Sequence, residues 1–202
     1  MLVNGCLFKR QKKKNKIMSD FIVQEFIDST VCDDLVERFN ATPNKRVGMV
    51  LNDAGQAVLD KEVKASTDVV LNPYDAQLKP YIEQLAKVVA KYIEQYPMSS
   101  YYAGWEIREN INIQHYKPGQ GYKKWHTERL SANYPDCMRH LVFMTYLNDV
   151  PDGGTEFYHQ KLTIKAQKGK TLMWPADWTF THRGEVSNTS DKYIITGWFS
   201  YF

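Results

Sequence analysis

Cysteine is scarce in this 202-residue sequence, which has only Cys6, Cys32 and Cys137. Their number is odd, they lie far apart and none forms a CxxC pair, so neither a disulfide framework nor a cysteine zinc site is expected. Such usage suits a reducing compartment, and a cytoplasmic protein is the expectation. Long apolar runs are missing too. No stretch approaches the roughly 20 residues that span a bilayer as a helix, so no membrane partner is expected. Acidic residues are absent from residues 1–17, which carry Lys9, Arg10, Lys12, Lys13, Lys14 and Lys16. Those six account for the net charge of +3; the rest of the chain sets 20 basic side chains against 23 acidic ones, a net of −3. The basic arm reads as a disordered tail. Apart from that arm, nucleic acid is not an expected partner. No apolar segment with a small-residue cleavage site follows the arm, so it does not read as a secretory signal, and Met18 suits a start. No internal repeat is visible. One domain over residues 18–202 is expected, with helical support over about 18–100 and a barrel core over about 101–202.

What is present divides the chain by periodicity. Residues 20–40 read as a short strand or turn followed by a helix, with Thr30 as N-cap, Asp33 three residues on, and Leu35, Val36 and Phe39 as the apolar face. Residues 42–66 are polar and interrupted by Pro43, Gly48 and the Asn52-Asp53-Ala54-Gly55 turn, as in a hairpin or mobile loop. Residues 74–96 form the strongest helical pattern. Leu78, Tyr81, Ile82, Leu85, Val88, Val89, Tyr92 and Ile93 make one stripe, with Asn72 as cap and Pro73 in the first turn.

From Trp105 the period becomes two. In 105–116, Trp105, Ile107, Ile111 and Ile113 share one face, while Asn110, Asn112, Gln114 and Tyr116 share the other. Further strands fit 139–148, 161–166, 170–174, 178–183 and 191–201. Turns at Lys117-Pro118-Gly119, Pro151-Asp152-Gly153-Gly154 and Pro175-Ala176-Asp177 separate them. Helices followed by many short strands predict a mostly β fold, a double-stranded β-helix or jelly roll with supporting N-terminal α-helices.

His126 and Glu128 stand two residues apart in Trp125-His126-Thr127-Glu128, so an extended backbone places both on one face. His182 lies far downstream at the end of an expected strand. Two histidines and one carboxylate around an ion leave three positions open, which suits an Fe(II) oxygenase. Lys192 follows ten residues after His182, and Lys192, Thr196 and Trp198 alternate onto one face of the last strand. A lysine facing a barrel interior needs an anion, because an unpaired buried charge is costly. His115, His140 and His159 lack such company and read as structural or surface residues. Zinc would also accept the His-Glu-His set, so a zinc hydrolase stays open, as does a non-catalytic jelly-roll binding module.

Residues 105–199 resemble the catalytic domain of the prolyl 4-hydroxylase-like 2-oxoglutarate/Fe(II) oxygenases. The matching segments are Tyr116-Lys117-Pro118-Gly119-Gln120-Gly121-Tyr122, His126-Thr127-Glu128, Thr145-Tyr146-Leu147-Asn148-Asp149, Gly153-Gly154-Thr155-Glu156-Phe157, His182, and Lys192-Tyr193 through Thr196-Gly197-Trp198. The resemblance implies a dioxygenase that couples oxidative decarboxylation of 2-oxoglutarate to C–H hydroxylation. Its cofactors would be Fe(II), 2-oxoglutarate and O₂, with ascorbate as an accessory. His126, Glu128 and His182 would hold the metal. Lys192 would grip the distal carboxylate of 2-oxoglutarate and Tyr146 would hydrogen-bond the same carboxylate. Tyr116, Thr196 and Trp198 would line the site, and Gly153-Gly154 would form a turn at its mouth. The family usually has Asp where this chain has Glu128; the longer side chain keeps the charge and ligand type, and argues against the halogenating relatives, which have a small residue there. The implied substrate is a prolyl residue in a peptide or protein, with a small molecule or nucleotide as the alternative on the same iron site. Trp125, Trp174 and Trp178 are expected at the rim, where aromatic walls suit a proline ring. Segments 42–66 and 129–138 are expected to cover a ligand.

Overall fold

A computed structural model of the protein describes residues 20–51 and 56–202. The basic arm, Cys6, Met18 and the 52–55 turn lie outside the described residues. In chain order the elements are β1 (Val23–Phe26), α1 (Ser29–Ala41), β2 (Arg46–Val47), β3 (Val50–Leu51), β4 (Ala57–Val58), β5 (Thr67–Leu71) and α2 (Lys79–Gln95). Then come β6 (Trp105–Ile107), β7 (Ile111–Tyr116), β8 (Arg139–Tyr146), β9 (Val150–Phe157), β10 (Leu162–Ala166), β11 (Lys170–Pro175), β12 (His182–Gly184) and β13 (Lys192–Tyr201). No helix among the described residues is long and apolar enough to cross a membrane.

The strands form a jelly roll. The large antiparallel sheet runs β1-β11-β8-β13-β7-β5-β2, with β6 on the far end of β13; the small one runs β10-β9-β12. The segment expected as helical support thus also gives β1, β2 and β5 to the large sheet. Both faces of that sheet are covered, and strand alternation sorts the side chains between them. Leu141 and Phe143 of β8 and Ile195 and Phe199 of β13 pack outward against Leu35 and Phe39 of α1 and Tyr81, Leu85, Val88 and Tyr92 of α2. Val142, Met144, Leu172, Trp174 and Ile194 point inward against Val150, Phe157 and Ile164 of the small sheet. Each fully buried large apolar side chain contributes about 1.5–3 kcal/mol. A polar cluster in the outer layer is internally satisfied: Thr145 Oγ1 shares hydrogen bonds with Tyr81 Oη (3.1 Å) and Thr171 Oγ1 (2.7 Å).

Several boundaries differ from the sequence expectation. α2 begins at Lys79 rather than 74, after a 3₁₀ turn over Ala76–Leu78. Pro80 explains the shift: inside a helix begun at 74 it would remove a hydrogen bond and clash with a carbonyl, whereas in the first turn it costs nothing. Asn72 Oδ1 accepts from the Tyr74 N–H, making a turn instead of a cap. α1 is capped by Asp28, not Thr30; its Oδ1 accepts from both the N–H and the hydroxyl of Thr30 at 2.9 Å. The expected strand 178–183 opens with a 3₁₀ turn over Trp178–Phe180, capped by Asp177, and only His182–Gly184 pair. The expected 105–116 strand is split between β6 and β7.

Gly153-Gly154 lies in the interior of β9 rather than in a turn. Both glycines mark close approach. A Cβ on Gly154 would stand 2.5 Å from the Ile164 carbonyl oxygen, and one on Gly153 would stand 2.4 Å from Val150 Cγ1 and 3.2 Å from Lys192 Cδ.

Candidate functional site

The two sheets enclose a cavity of about 440 Å³. Alternation along β7 turns Asn112, Gln114 and Tyr116 into it, as the polar face of 105–116 predicts, and alternation along β13 adds Lys192, Ile194, Thr196 and Trp198. β12 completes the wall. His182 and His126 form an isolated antiparallel bridge that adds the 122–126 segment to the edge of the small sheet, and both side chains face the cavity.

Nε2 of His126 lies 3.7 Å from Glu128 Oε1, and Nε2 of His182 lies 3.4 Å from the same oxygen. One donor atom from each residue falls within 4.8 Å of the others. The opposite ring nitrogens are spoken for. His126 Nδ1 donates to the Lys124 carbonyl (3.0 Å) and His182 Nδ1 to the Phe180 carbonyl (2.9 Å). A carbonyl only accepts, so Nδ1 carries a proton in each ring, and when the imidazole is neutral its lone pair sits on Nε2, the nitrogen nearest Glu128. That is the donor set a divalent metal requires, with the outer hydrogen bonds that orient it. Burial, with the charge of His182 adding to it, lowers the His126 pKa and favours the neutral, ligating form. Burial works against the Glu128 carboxylate, but hydrogen bonding and charge from the two imidazoles in their protonated form outweigh it and hold its pKa well below the usual range. Tyr122 stacks on the His126 ring at 3.6 Å and fixes its plane.

At another part of the same cavity, the Lys192 ammonium is buried. It donates to the carbonyls of Gly154 and Glu185, each at 3.2 Å. Burial lowers its pKa to about 8, against the raising influence of Glu185 and Asp152. Two neutral carbonyls leave one N–H of the ammonium for an anionic guest, so the residues present fit a dicarboxylate whose far end reaches Lys192.

The expected place of Tyr146 beside that guest differs. Its side chain is fully buried and does not line the cavity. Its hydroxyl shares a 2.5 Å hydrogen bond with Thr155 Oγ1 and reaches the Ile164 carbonyl at 3.4 Å. Thr155, the partner of that hydroxyl, does line the cavity. Tyr116, Thr196 and Trp198 line the cavity; Tyr116 donates to Gln114 Oε1 (2.6 Å), Thr196 to the Phe143 carbonyl (3.0 Å) and the Trp198 indole N–H to Glu128 Oε2 (2.9 Å).

The three tryptophans expected at the rim separate. Trp174 is buried inside the barrel, edge-on to His182 at 5.1 Å, and lines the cavity wall. Trp125 and Trp178 are exposed and do not line the cavity. Trp125 precedes His126 by one residue, so alternation turns it to the outer face, where it meets Tyr158 and Arg183. Both segments expected to cover a ligand do border the cavity, through Met49, Val50 and Ala57 and through Leu130 and Pro135. The other histidines sit elsewhere: His115 pairs with Asp191, His140 with Ser99 and Tyr201, and His159 packs on Tyr158 and Trp178.

Sequence reasoning missed several residues of the cavity wall, Thr155, Lys64, Asp68 and Arg139 among them. Thr155 stood in a matching segment without a role. Lys64 and Asp68 form a buried pair at 2.8 Å whose (i, i+4) spacing was the available signal. Arg139 opens β8, where a basic residue at a strand end carries no marker of burial. It is bidentate to Glu109 (2.9 and 2.6 Å) and reaches Asp136 and the Glu128 carbonyl.

Residues 111–200 match the family model of the 2OG-Fe(II) oxygenase superfamily. No curated protein sequence matches the chain. Among solved structures, the viral collagen prolyl hydroxylase of Paramecium bursaria Chlorella virus-1, in its 2OG complex, is similar with a TM-score of 0.64 and 17% identity over 90% of this chain and 97% of that one. A Trichoplax adhaerens prolyl hydroxylase, in complex with a hypoxia inducible factor peptide fragment, is similar with a TM-score of 0.69 and 15% identity over 89% and 82%. A Pseudomonas putida prolyl-4-hydroxylase is similar with a TM-score of 0.61 and 13% identity over 90% and 92%. At these identities the likeness is one of fold. In sequence pattern and fold together, the chain resembles the prolyl 4-hydroxylase-like 2-oxoglutarate/Fe(II) oxygenases.

Proposed function

We propose that this protein is a Fe(II)- and 2-oxoglutarate-dependent dioxygenase that hydroxylates a prolyl residue in a peptide or protein. The observation that carries the reading is the shared cavity: two imidazole Nε2 atoms and one carboxylate converge in it, and a buried lysine that hydrogen-bonds to two backbone carbonyls faces the same space. His126, Glu128 and His182 would hold the metal, and Lys192 the far carboxylate of 2-oxoglutarate, with Thr155 beside it. When bound, iron would supply activation of O₂, one oxygen atom going into the succinate that 2-oxoglutarate becomes on losing CO₂ and the other into a substrate C–H bond.

The chain's own residues do the rest. Lys124 and Phe180 carbonyls hold the imidazole tautomers. The apolar wall of Met144, Trp174 and Ile194 keeps water from the reacting space, and the segments through Val50 and Leu130 bound its mouth. A polypeptide substrate is supported by the fold neighbours, one of which was solved with a peptide. A proline ring also suits a wall of this composition.

The test is succinate release, with Fe(II), 2-oxoglutarate, O₂ and ascorbate present, against proline-containing peptides, free amino acids and single-stranded oligonucleotides. Product masses are read for a gain of one oxygen. Oxygenated peptide with stoichiometric succinate is expected. Coupled turnover confined to small molecules or nucleotides would overturn the prolyl reading alone. Hydrolysis that needs neither O₂ nor 2-oxoglutarate would overturn the oxygenase reading in favour of a zinc hydrolase.

A further inference from the structure

Glu128 is one methylene longer than the aspartate usual at its position, and an extra rotatable bond must be fixed for a carboxylate to act as a preorganised ligand. The chain holds this residue at two points, its carboxylate and its backbone. Trp198 Nε1 donates to Glu128 Oε2 at 2.9 Å, and Arg139 Nη1 donates to the Glu128 backbone carbonyl at 2.8 Å. The two clamps are joined, because the Arg139 guanidinium lies 3.9 Å over the Trp198 ring. Arg139 is itself fixed by Glu109 on one side and Asp136 on the other, and its backbone carbonyl accepts from Arg129. With Oε2 committed to the indole, only Oε1 faces the two imidazole Nε2 atoms.

Resting on the dioxygenase reading, we propose that Trp198, backed by Arg139, is the positioning residue that lets a glutamate serve as the carboxylate ligand, by holding Oε2 away from the metal and presenting Oε1 alone. The hydrogen bond has two consequences. It fixes the rotamer, which favours metal binding. It also stops the longer, more flexible carboxylate from swinging round to chelate through both oxygens, which keeps a position open for 2-oxoglutarate. An aspartate is too short to need the first effect, and its carboxylate sits one methylene farther from the indole, so Trp198 should matter to Glu128 and much less to Asp at the same position.

The experiment is a double-mutant cycle on the full chain with Mn(II) as the probe, measuring Mn(II) affinity by calorimetry and then 2-oxoglutarate affinity on Mn(II)-saturated, anaerobic protein. Trp198→Phe keeps the ring and removes the donor. Outer hydrogen-bond partners of metal ligands are worth about 10- to 100-fold in metal affinity. Trp198→Phe is therefore expected to weaken Mn(II) binding about 10-fold or more in the Glu128 protein, and to weaken 2-oxoglutarate binding even at saturating Mn(II). In the Glu128→Asp background the same change should cost under about 3-fold, a difference that a loss of packing would not produce. Unchanged Mn(II) and 2-oxoglutarate affinity in Trp198→Phe, or equal losses in both backgrounds, would overturn the proposal while leaving the metal site standing. Failure of the unmutated protein to bind Mn(II) would instead overturn the dioxygenase reading on which it rests. Thermal unfolding of each variant, followed by circular dichroism, separates loss of the ligand clamp from loss of fold.

Discussion

His126 and His182 are partners in one antiparallel bridge, each backbone N–H donating to the other's carbonyl at 2.9 Å. Residues opposite each other in such a pair turn their side chains to the same side. The bridge, and nothing local to either histidine, brings their rings to 4.3 Å between centroids.

That geometry gives the first prediction. Mn(II) or Fe(II) should bind at one site per chain, and His126→Ala or His182→Ala should abolish both tight binding and turnover. Glu128→Ala should do nearly the same, and Glu128→Asp should retain part of both. Calorimetric titration of each variant with Mn(II) is the check; wild-type affinity in both histidine variants would show that the metal, if any, binds elsewhere.

The second prediction follows from the state of Lys192. Burial lowers its pKa to about 8, and the anion it would hold needs the charged form. In the free protein the charged fraction falls as pH rises through that value, so 2-oxoglutarate affinity should be constant below it and drop by about tenfold per pH unit above it. Lys192→Arg keeps its charge throughout and should flatten the profile. Lys192→Ala should weaken binding about 10- to 100-fold at neutral pH, from the loss of a charged hydrogen bond. A steep fall above pH 8 that persists in Lys192→Arg would assign the titration to another group.

The third prediction separates Tyr146 from the co-substrate. Its hydroxyl is spent on Thr155 inside the barrel. Tyr146→Phe should leave the Thr155 hydroxyl short of a partner and destabilise the fold by about 1–3 kcal/mol. It should change 2-oxoglutarate affinity by less than Lys192→Ala does. Urea unfolding and the same calorimetric titration test both halves, and a loss of affinity matching that of Lys192→Ala would restore Tyr146 to direct contact.

The fourth prediction concerns Arg139, whose side chain is mostly buried against Glu109 and Asp136. Removing one member of a buried pair leaves an uncompensated charge. Arg139→Leu should therefore cost about 3–5 kcal/mol in urea unfolding. Lysine cannot reproduce the two-pronged contact with Glu109, so Arg139→Lys should recover only part of that loss. Full recovery with lysine would mean that charge alone, without the planar fork, holds this corner.

Local pattern determined a good deal of this protein. Strand alternation placed His126 with Glu128 and Lys192 with Thr196 and Trp198, because a period of two depends only on an extended backbone. The stripe from Leu78 to Tyr92 found its helix for the same kind of reason, and the polar set Asn112, Gln114 and Tyr116 faces the cavity as its spacing required. Boundaries were legible only where a local constraint was weighed: the ring of Pro80 moved the start of α2, and Gly153-Gly154 resembles a turn in sequence yet serves as the smooth inner surface against Val150 and Lys192. The tertiary structure alone decided which distant groups meet. The 126–182 bridge and the Trp198–Glu128 hydrogen bond depend on the order and register in which strands far apart in sequence close the barrel. It also decided that Trp174 faces His182, and that the Tyr146 hydroxyl ends on Thr155. Those outcomes are set by which strand lies across the sheet and how far across, quantities that no window of neighbouring residues contains.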